Sequence, residues 1–368
     1  MTHETNQLPF INPEQGKRCV RLLWKANVPL CFVGSPATAK TSTMRETIEE
    51  LNNDIAAAAQ LKKKTVTRTA RLWPVTVSRM EPGDMGVPVP DLEKKILDNY
   101  APTFIPFDQQ DAFGILFLDE LDRGTPEMQN ACLQLVLDRF FHGHTLADSV
   151  YVAAAMNGVS DIYTTQLSEA NRTRMCFLYV SAHAEGYAES WDAWADGKNL
   201  LPATRAFRKY RADLIKKYET FTDLAVCNDR TLEMADRIMQ ASKSMTMKTD
   251  DILFPALVGV LGKIGAIEYM ATEKLISEAP SLEDIQDAPE ACKLPTNPSV
   301  IYALTCALVA NVKNKDEAEK YVRYGVRLPA EFAATLLKGL CRADRVPAVA
   351  TTVSFQKWTK ENQAILIG

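Results

Sequence analysis

The chain has 368 residues and a formal net charge of −4 at pH 7, with 46% hydrophobic and 24% charged residues. These are the proportions of an ordinary soluble globular protein with room for two or three domains. The near-neutral balance does not support global attraction to nucleic acid or to an anionic membrane and leaves only local basic patches.

The opening MTHETNQLPFINPEQGKRC has no apolar run behind a basic start, so no secretory leader is expected. No uninterrupted apolar stretch reaches the roughly 18 residues of a membrane-spanning helix. Eight cysteines, Cys19, Cys31, Cys132, Cys176, Cys227, Cys292, Cys306 and Cys341, stand singly without a Cys-x-x-Cys pair. That spacing favours buried thiols in a reducing compartment over a disulfide frame or zinc site. A cytoplasmic protein without a membrane partner is the expectation.

Short apolar or β-branched runs appear at Pro29–Val33, Leu72–Val77, Ile115–Leu118, Val150–Ala155 and Cys176–Val180. Helical or turn-forming sequence separates them, which predicts a parallel sheet covered on both faces over residues 1–182. Beyond 182, WDAWADGKNLLPATRAFRKYRADLIKKY and RTLEMADRIMQASKSM place apolar residues three and four apart. That spacing predicts helices over 183–285. The Pro- and acid-containing SEAPSLEDIQDAPEACKLPTNPS marks a joint near 277–299, before a last helical portion over 286–368.

The stretch CFVGSPATAKTS starts as a strand and ends as a first helical turn, with Gly34, Ser35, Pro36, Ala37, Thr38, Ala39, Lys40, Thr41 and Ser42 between and after. In a phosphate-binding loop backbone N–H groups surround the β-phosphate, a lysine reaches the β- and γ-phosphates, and a Thr hydroxyl binds Mg²⁺. Lys40 and Thr41 hold those positions. Ala37 stands where a glycine is often found, which narrows the backbone angles available and bears on nucleotide affinity.

In GILFLDELDR four apolar residues end at adjacent carboxylates, Asp119 and Glu120. The first suits a Mg²⁺ hydration shell and the second suits polarising a water; the alternative is an acid-rich helix start. In VYVAAAMNG the strand ends at Asn157, either a water-positioning amide or a turn residue before Gly158. Arg172 and Arg174 precede the last strand, where an arginine can stabilise charge on a neighbouring subunit's γ-phosphoryl or merely make surface ion pairs. His142 and His144 in FFHGHT suggest a hairpin rather than a metal site, and the basic run Lys62–Arg71 suggests a solvated helix end.

Strand-loop-helix, Asp-Glu, Asn and Arg in this order resemble an AAA+ ATPase, and the details resemble its MoxR branch. There the loop commonly reads Gly-Pro-Pro-Gly-Thr-Ala-Lys, so Ala39 before Lys40 agrees with the branch. LDELDRGTPEMQNACLQLVLD, EPGDMGVPVP and LSEANRTRM also match, and the helical segments resemble the lid of MoxR-type ATPases carried by bacteria and their bacteriophages. The resemblance covers residues 20–245. It implies a P-loop αβα core followed by an all-helical lid and a helical C-terminal extension, with ATP and Mg²⁺ as cofactors. It further implies a homo-oligomeric ring, usually a hexamer, with Arg174 donated across each boundary. Asp229-Arg230-Thr231 stands where the branch has Pro-Arg-Thr, which makes Arg230 the candidate lid arginine. Pore-facing loops would be Met80–Pro90 and the hairpin Arg139–Val150. The function implied is ATP hydrolysis coupled to remodelling or maturation of a protein client, directly or through an adaptor. The alternatives are a nucleotide-gated scaffold with little hydrolysis and a nucleic-acid-associated NTPase motor.

Overall fold

The computed structural model describes residues 9–157, 167, 172–215, 225–245, 249–341 and 349–361. The chain divides into two units, Met1–Ser190 and Trp191–Gly368.

The first unit is built on a six-stranded parallel sheet. Its strands are β1 (Phe10–Ile11), β2 (Leu30–Val33), β3 (Arg71–Thr76), β6 (Gly114–Asp119), β9 (Val150–Met156) and β10 (Cys176–Val180), in the spatial order β1-β10-β2-β9-β6-β3. All five strands expected from sequence are present. The two-residue β1 is an addition, because so short a run carries no pattern. Pro74 lies within β3, and β3 is an edge strand, the place where a missing N–H costs no ladder bond.

Alternation along the central strands divides their side chains between two cores. Cys31, Leu116, Leu118, Val152 and Ala154 face one side, where Met128, Cys132 and Leu135 of α3 (Pro126–Asp138) cover them. Leu30, Phe32, Ile115, Phe117, Ala153 and Ala155 face the other, against Val20 of α1 (Pro13–Ala26) and Met44 and Ile48 of α2 (Lys40–Leu61). Three layers follow from a period of two in strands buried on both faces. The covering helices start where sequence signals place them. Asn12 forms a capping box with Gln15 ahead of Pro13, and Thr125 caps α3 ahead of Pro126. Each such cap contributes on the order of 1 kcal/mol.

This unit also carries two antiparallel hairpins. In the first, β4 (Val87–Asp91) pairs with β5 (Ile96–Tyr100) in the register Val87↔Tyr100 to Asp91↔Ile96. The expected loop Met80–Pro90 is therefore a 3₁₀ turn at Pro82–Met85 running into a strand. Val87, Leu92, Ile96, Leu97 and Tyr100 on this arm are all exposed. In the second, β7 (Phe140–Phe141) pairs with β8 (His144–Thr145), so the expected hairpin within Arg139–Val150 is present.

The described residues of the second unit form helices only. α4 (Tyr187–Gly197) carries the chain into it; α5 (Pro202–Tyr210), α6 (Asp229–Ser244), α7 (Asp250–Ser277), α8 (Leu282–Asp287), α9 (Pro298–Asn311), α10 (Lys315–Gly325), α11 (Ala330–Leu340) and α12 (Val353–Glu361) follow. Ala206 and Ile285 share one core with Tyr302, Tyr321, Tyr324, Phe332 and Leu336. Helices on either side of residue 286 thus bury their apolar faces together.

α7 is broken at Gly262, whose φ of 74° is left-handed and relieves the helix of a regular bond there. The stretch Asp251–Asp287 is long and apolar enough to cross a membrane by length and composition alone, although Lys263, Glu268, Glu273 and Lys274 fall within it and further acids follow to Asp287. α7 buries Leu257, Leu261, Ala266 and Tyr269 while Ile252, Ile264 and Ile267 are exposed.

Candidate functional site

The loop from Gly34 to Ala39 joins the end of β2 to the start of α2. Gly34 donates its N–H to Met156 O at 3.2 Å, and a Cβ there would lie 2.3 Å from Val180 O, so only glycine fits between β9 and β10. Thr38 Oγ1 donates to Ser35 O at 2.8 Å and closes the loop on itself. Ala37 and Ala39 both have φ of 65°. The two alanines adopt the left-handed conformation that glycine takes without penalty, at about 1 kcal/mol each. Left-handed residues alternating along a loop turn successive N–H groups to one side.

Ala39 occupies the N-cap of α2 and supplies no side-chain hydrogen bond. A helix start with uncapped N–H groups and the positive end of its dipole is suited to an anion.

Lys40 folds back over this loop. Its Nζ donates to Gly34 O at 2.5 Å, Ser35 O at 3.0 Å and Asn157 Oδ1 at 3.2 Å, and the residue is 8% exposed. Thr41 Oγ1 donates to Asp119 Oδ2 at 2.7 Å, across 78 positions of sequence. The sheet order makes this possible. β9 lies between β2 and β6, with Val33 paired to Met156 and Leu118 to Ala154, so the C-terminal ends of all three strands come out at one edge. That edge is where open parallel sheets bind ligands.

Asp119 Oδ1 also accepts the Glu120 N–H at 3.0 Å. Glu120 is left-handed, with φ of 56°, which turns its side chain away from the strand direction. Its Oε2 accepts a hydrogen bond from Ser78 Oγ, and its Oε1 lies 3.8 Å from Arg123 Nη1. Asn157 is anchored through its backbone N–H, which donates to Asp122 Oδ2 at 2.8 Å; Asp122 is fully buried. Behind the loop, burial pushes the Cys31 thiol up, so it is an inert core residue and no nucleophile.

The structure therefore brings Gly34, Ser35, Thr38, Lys40, Thr41, Asp119 and Asn157 into one hydrogen-bonded group, with Pro36, Ala37 and Ala39 forming the loop and Glu120 adjoining it. Ser42 is exposed on α2. Arg172 and Arg174 are exposed just before β10, and among the described residues neither has a hydrogen-bond or ion-pair partner. Arg230 is exposed in the first turn of α6, in the other unit. Ser78 and Asp122 were missed from sequence. Asp122 was discoverable as a third acid in LDELDR, while Ser78 has no pattern around it.

The donor set fits a magnesium nucleotide. Thr41 and Asp119 put a hydroxyl and a carboxylate oxygen side by side, the hard ligands Mg²⁺ takes. Lys40 and the α2 N-terminus supply fixed positive charge for phosphate. A six-stranded parallel sheet between helical layers, this loop at the strand ends and a continuation whose described residues are helical fit a P-loop αβα core of the AAA+ type.

No family model and no curated protein sequence matches the chain. Among solved structures it is similar to a candidate ATPase from Cytophaga hutchinsonii, at 13% identity and a TM-score of 0.33, over 89% of this chain and 80% of that one. It is similar to NtrX from Brucella abortus at 15% identity and a TM-score of 0.39, over 89% and 67% of the two chains. NtrX in complex with ATP matches at 13% identity and a TM-score of 0.37, over 98% and 69%. These are distant likenesses.

Proposed function

We propose that this protein is an AAA+ ATPase of the MoxR type, which hydrolyses ATP with Mg²⁺ in an oligomeric ring to remodel or mature a protein client. The observation that carries the reading is the 2.7 Å hydrogen bond from Thr41 to Asp119, which joins the loop and the acid strand at one point. Thr41 and Asp119 would hold Mg²⁺, whose chemistry is to draw charge from the phosphate oxygens as the bond breaks. Lys40 exchanges its loop carbonyls for phosphate oxygens and fixes their position. Glu120, turned out of the strand, takes a proton from the attacking water once it leaves Ser78. Asn157, held rigidly through Asp122, orients that water or the γ-phosphate. Arg172 and Arg174, exposed ahead of β10, suit donation to a neighbouring subunit.

ATP binding by titration calorimetry and turnover by phosphate release test the proposal on the full chain. Wild type should bind and hydrolyse, and Glu120→Gln should bind without hydrolysing. Absence of binding in wild type would end the reading. Arg174→Ala mixed with Lys40→Ala should recover part of the activity that each lacks alone. No recovery would remove Arg174 from a shared site.

The hydrogen bond between Ser78 and Glu120 favours one second reading, a nucleotide-gated scaffold whose base is held back and turns over slowly. Ser78→Ala separates the two: a marked rise in turnover supports restraint of Glu120, and an unchanged rate leaves the ATPase reading alone.

A further inference from the structure

Among the described residues, His144 makes the one side-chain hydrogen bond that joins the apolar arm β4–β5 to the rest of its unit. His144 Nδ1 lies 2.6 Å from Asp108 Oδ2, and its Nε2 lies 2.6 Å from the main-chain oxygen of Asn99 on β5. A carboxylate and a carbonyl both accept, and neither can donate. Both ring nitrogens must therefore carry hydrogen for both contacts to exist, and only the imidazolium cation does so. When the proton is lost, one nitrogen presents a lone pair to an acceptor. Asp108 keeps the remaining N–H, because a charged acceptor binds it more strongly than a carbonyl. The contact given up is the one to the arm.

The surroundings agree with this division. Asp108 is fixed on the body side, where its Oδ1 accepts the Thr145 N–H at 3.0 Å and the Thr145 hydroxyl at 3.3 Å. The Phe107 ring lies 5.8 Å from the imidazole. Asp108 and, further off, Asp98 are the charged groups that face His144, and both favour its cation. The arm itself exposes Val87, Leu92, Ile96, Leu97 and Tyr100. Whatever holds the arm therefore also bears on how this apolar surface is presented.

We propose that His144 is a proton-operated latch, closed on the arm Val87–Tyr100 when protonated and released from it when neutral. The inference is independent of nucleotide chemistry. Asp108 raises the His144 pKa above its ordinary 6.5. The clasp is thus complete below the ordinary value and is lost as pH rises through the raised one.

The test is hydrogen exchange of the full chain, followed by mass spectrometry across about pH 6 to pH 9, a window spanning the shifted histidine, with intrinsic exchange rates divided out. Amides of 96–100 should lose protection by about tenfold or more as pH rises, the size of one lost charged hydrogen bond. The midpoint should coincide with the His144 Cε1–H titration in NMR, which has only four histidines to resolve. H144Q should show the unprotected level at every pH, and H142Q should behave as wild type. D108N should lower the midpoint. Protection in wild type that does not change with pH, or the same change in H144Q, would overturn the latch. The wild-type profile decides the matter even where a variant fails to fold.

Discussion

The sheet unit and the helical unit both bury polar side chains, and they dispose of them in opposite ways. In the helical unit Asp236 is fully enclosed and accepts from Leu201 N at 2.8 Å, Thr204 Oγ1 at 2.5 Å and Gln240 Nε2 at 2.6 Å, with the Tyr269 hydroxyl 2.6 Å from Thr204. Burial pushes the Tyr269 phenol up, so it stays neutral. Every member of that set is answered by another member, and an incoming ligand has nothing to replace. In the sheet unit Lys40 is answered partly by loop carbonyls and by Asn157 at a strand tip, groups that a ligand's oxygens can replace. A closed network holds structure, and a replaceable one makes a site.

Substitutions can break that contrast, starting with the largest effect. Glu120→Gln should lower ATP turnover by about 10²- to 10⁴-fold, the usual contribution of a general base, while calorimetry shows retained binding. Lys40→Ala should weaken ATP binding by about 100-fold, as expected for a lost charged contact worth ~3 kcal/mol. Asp236→Ala should do the reverse. It should cost about 2–3 kcal/mol in denaturant unfolding, because buried donors are left unanswered, with the nucleotide Kd unchanged. A large change in Kd would show that the two units are not separable in this way. The smallest effect sharpens the comparison: Ala37→Gly should relieve left-handed strain and tighten ATP by severalfold at most, about 0.5–1 kcal/mol. No change would mean that the loop bears its alanines without penalty.

Much of the sheet unit was legible because its chemistry sits where apolar runs stop. Val33 and Met156 end their strands with Gly34 and Asn157 directly after, and Asp119 is itself the last residue of β6, so pattern and site were read together. The β4–β5 arm was not legible. Pro88 and Pro90 disqualify VPVPD as a strand by propensity, and a two-stranded arm with exposed apolar residues has no buried face to impose alternation. Ser78 was hidden for a different reason. A single hydroxyl on a 3₁₀ turn has no periodicity, and its contact to Glu120 spans 42 positions. In the helical unit, α7 is apolar on more than one face, so its sequence says neither which side is covered nor that Gly262 breaks it.

The tethering of Lys40 gives ligand capture the character of a substitution reaction. Its ammonium already holds Gly34 O, Ser35 O and Asn157 Oδ1, so a phosphate oxygen bound by Lys40 would displace an oxygen already there. The heat released is then the difference between two kinds of acceptor. The loop would keep its Thr38–Ser35 and Gly34–Met156 bonds and take from the guest the fastening that Lys40 had supplied.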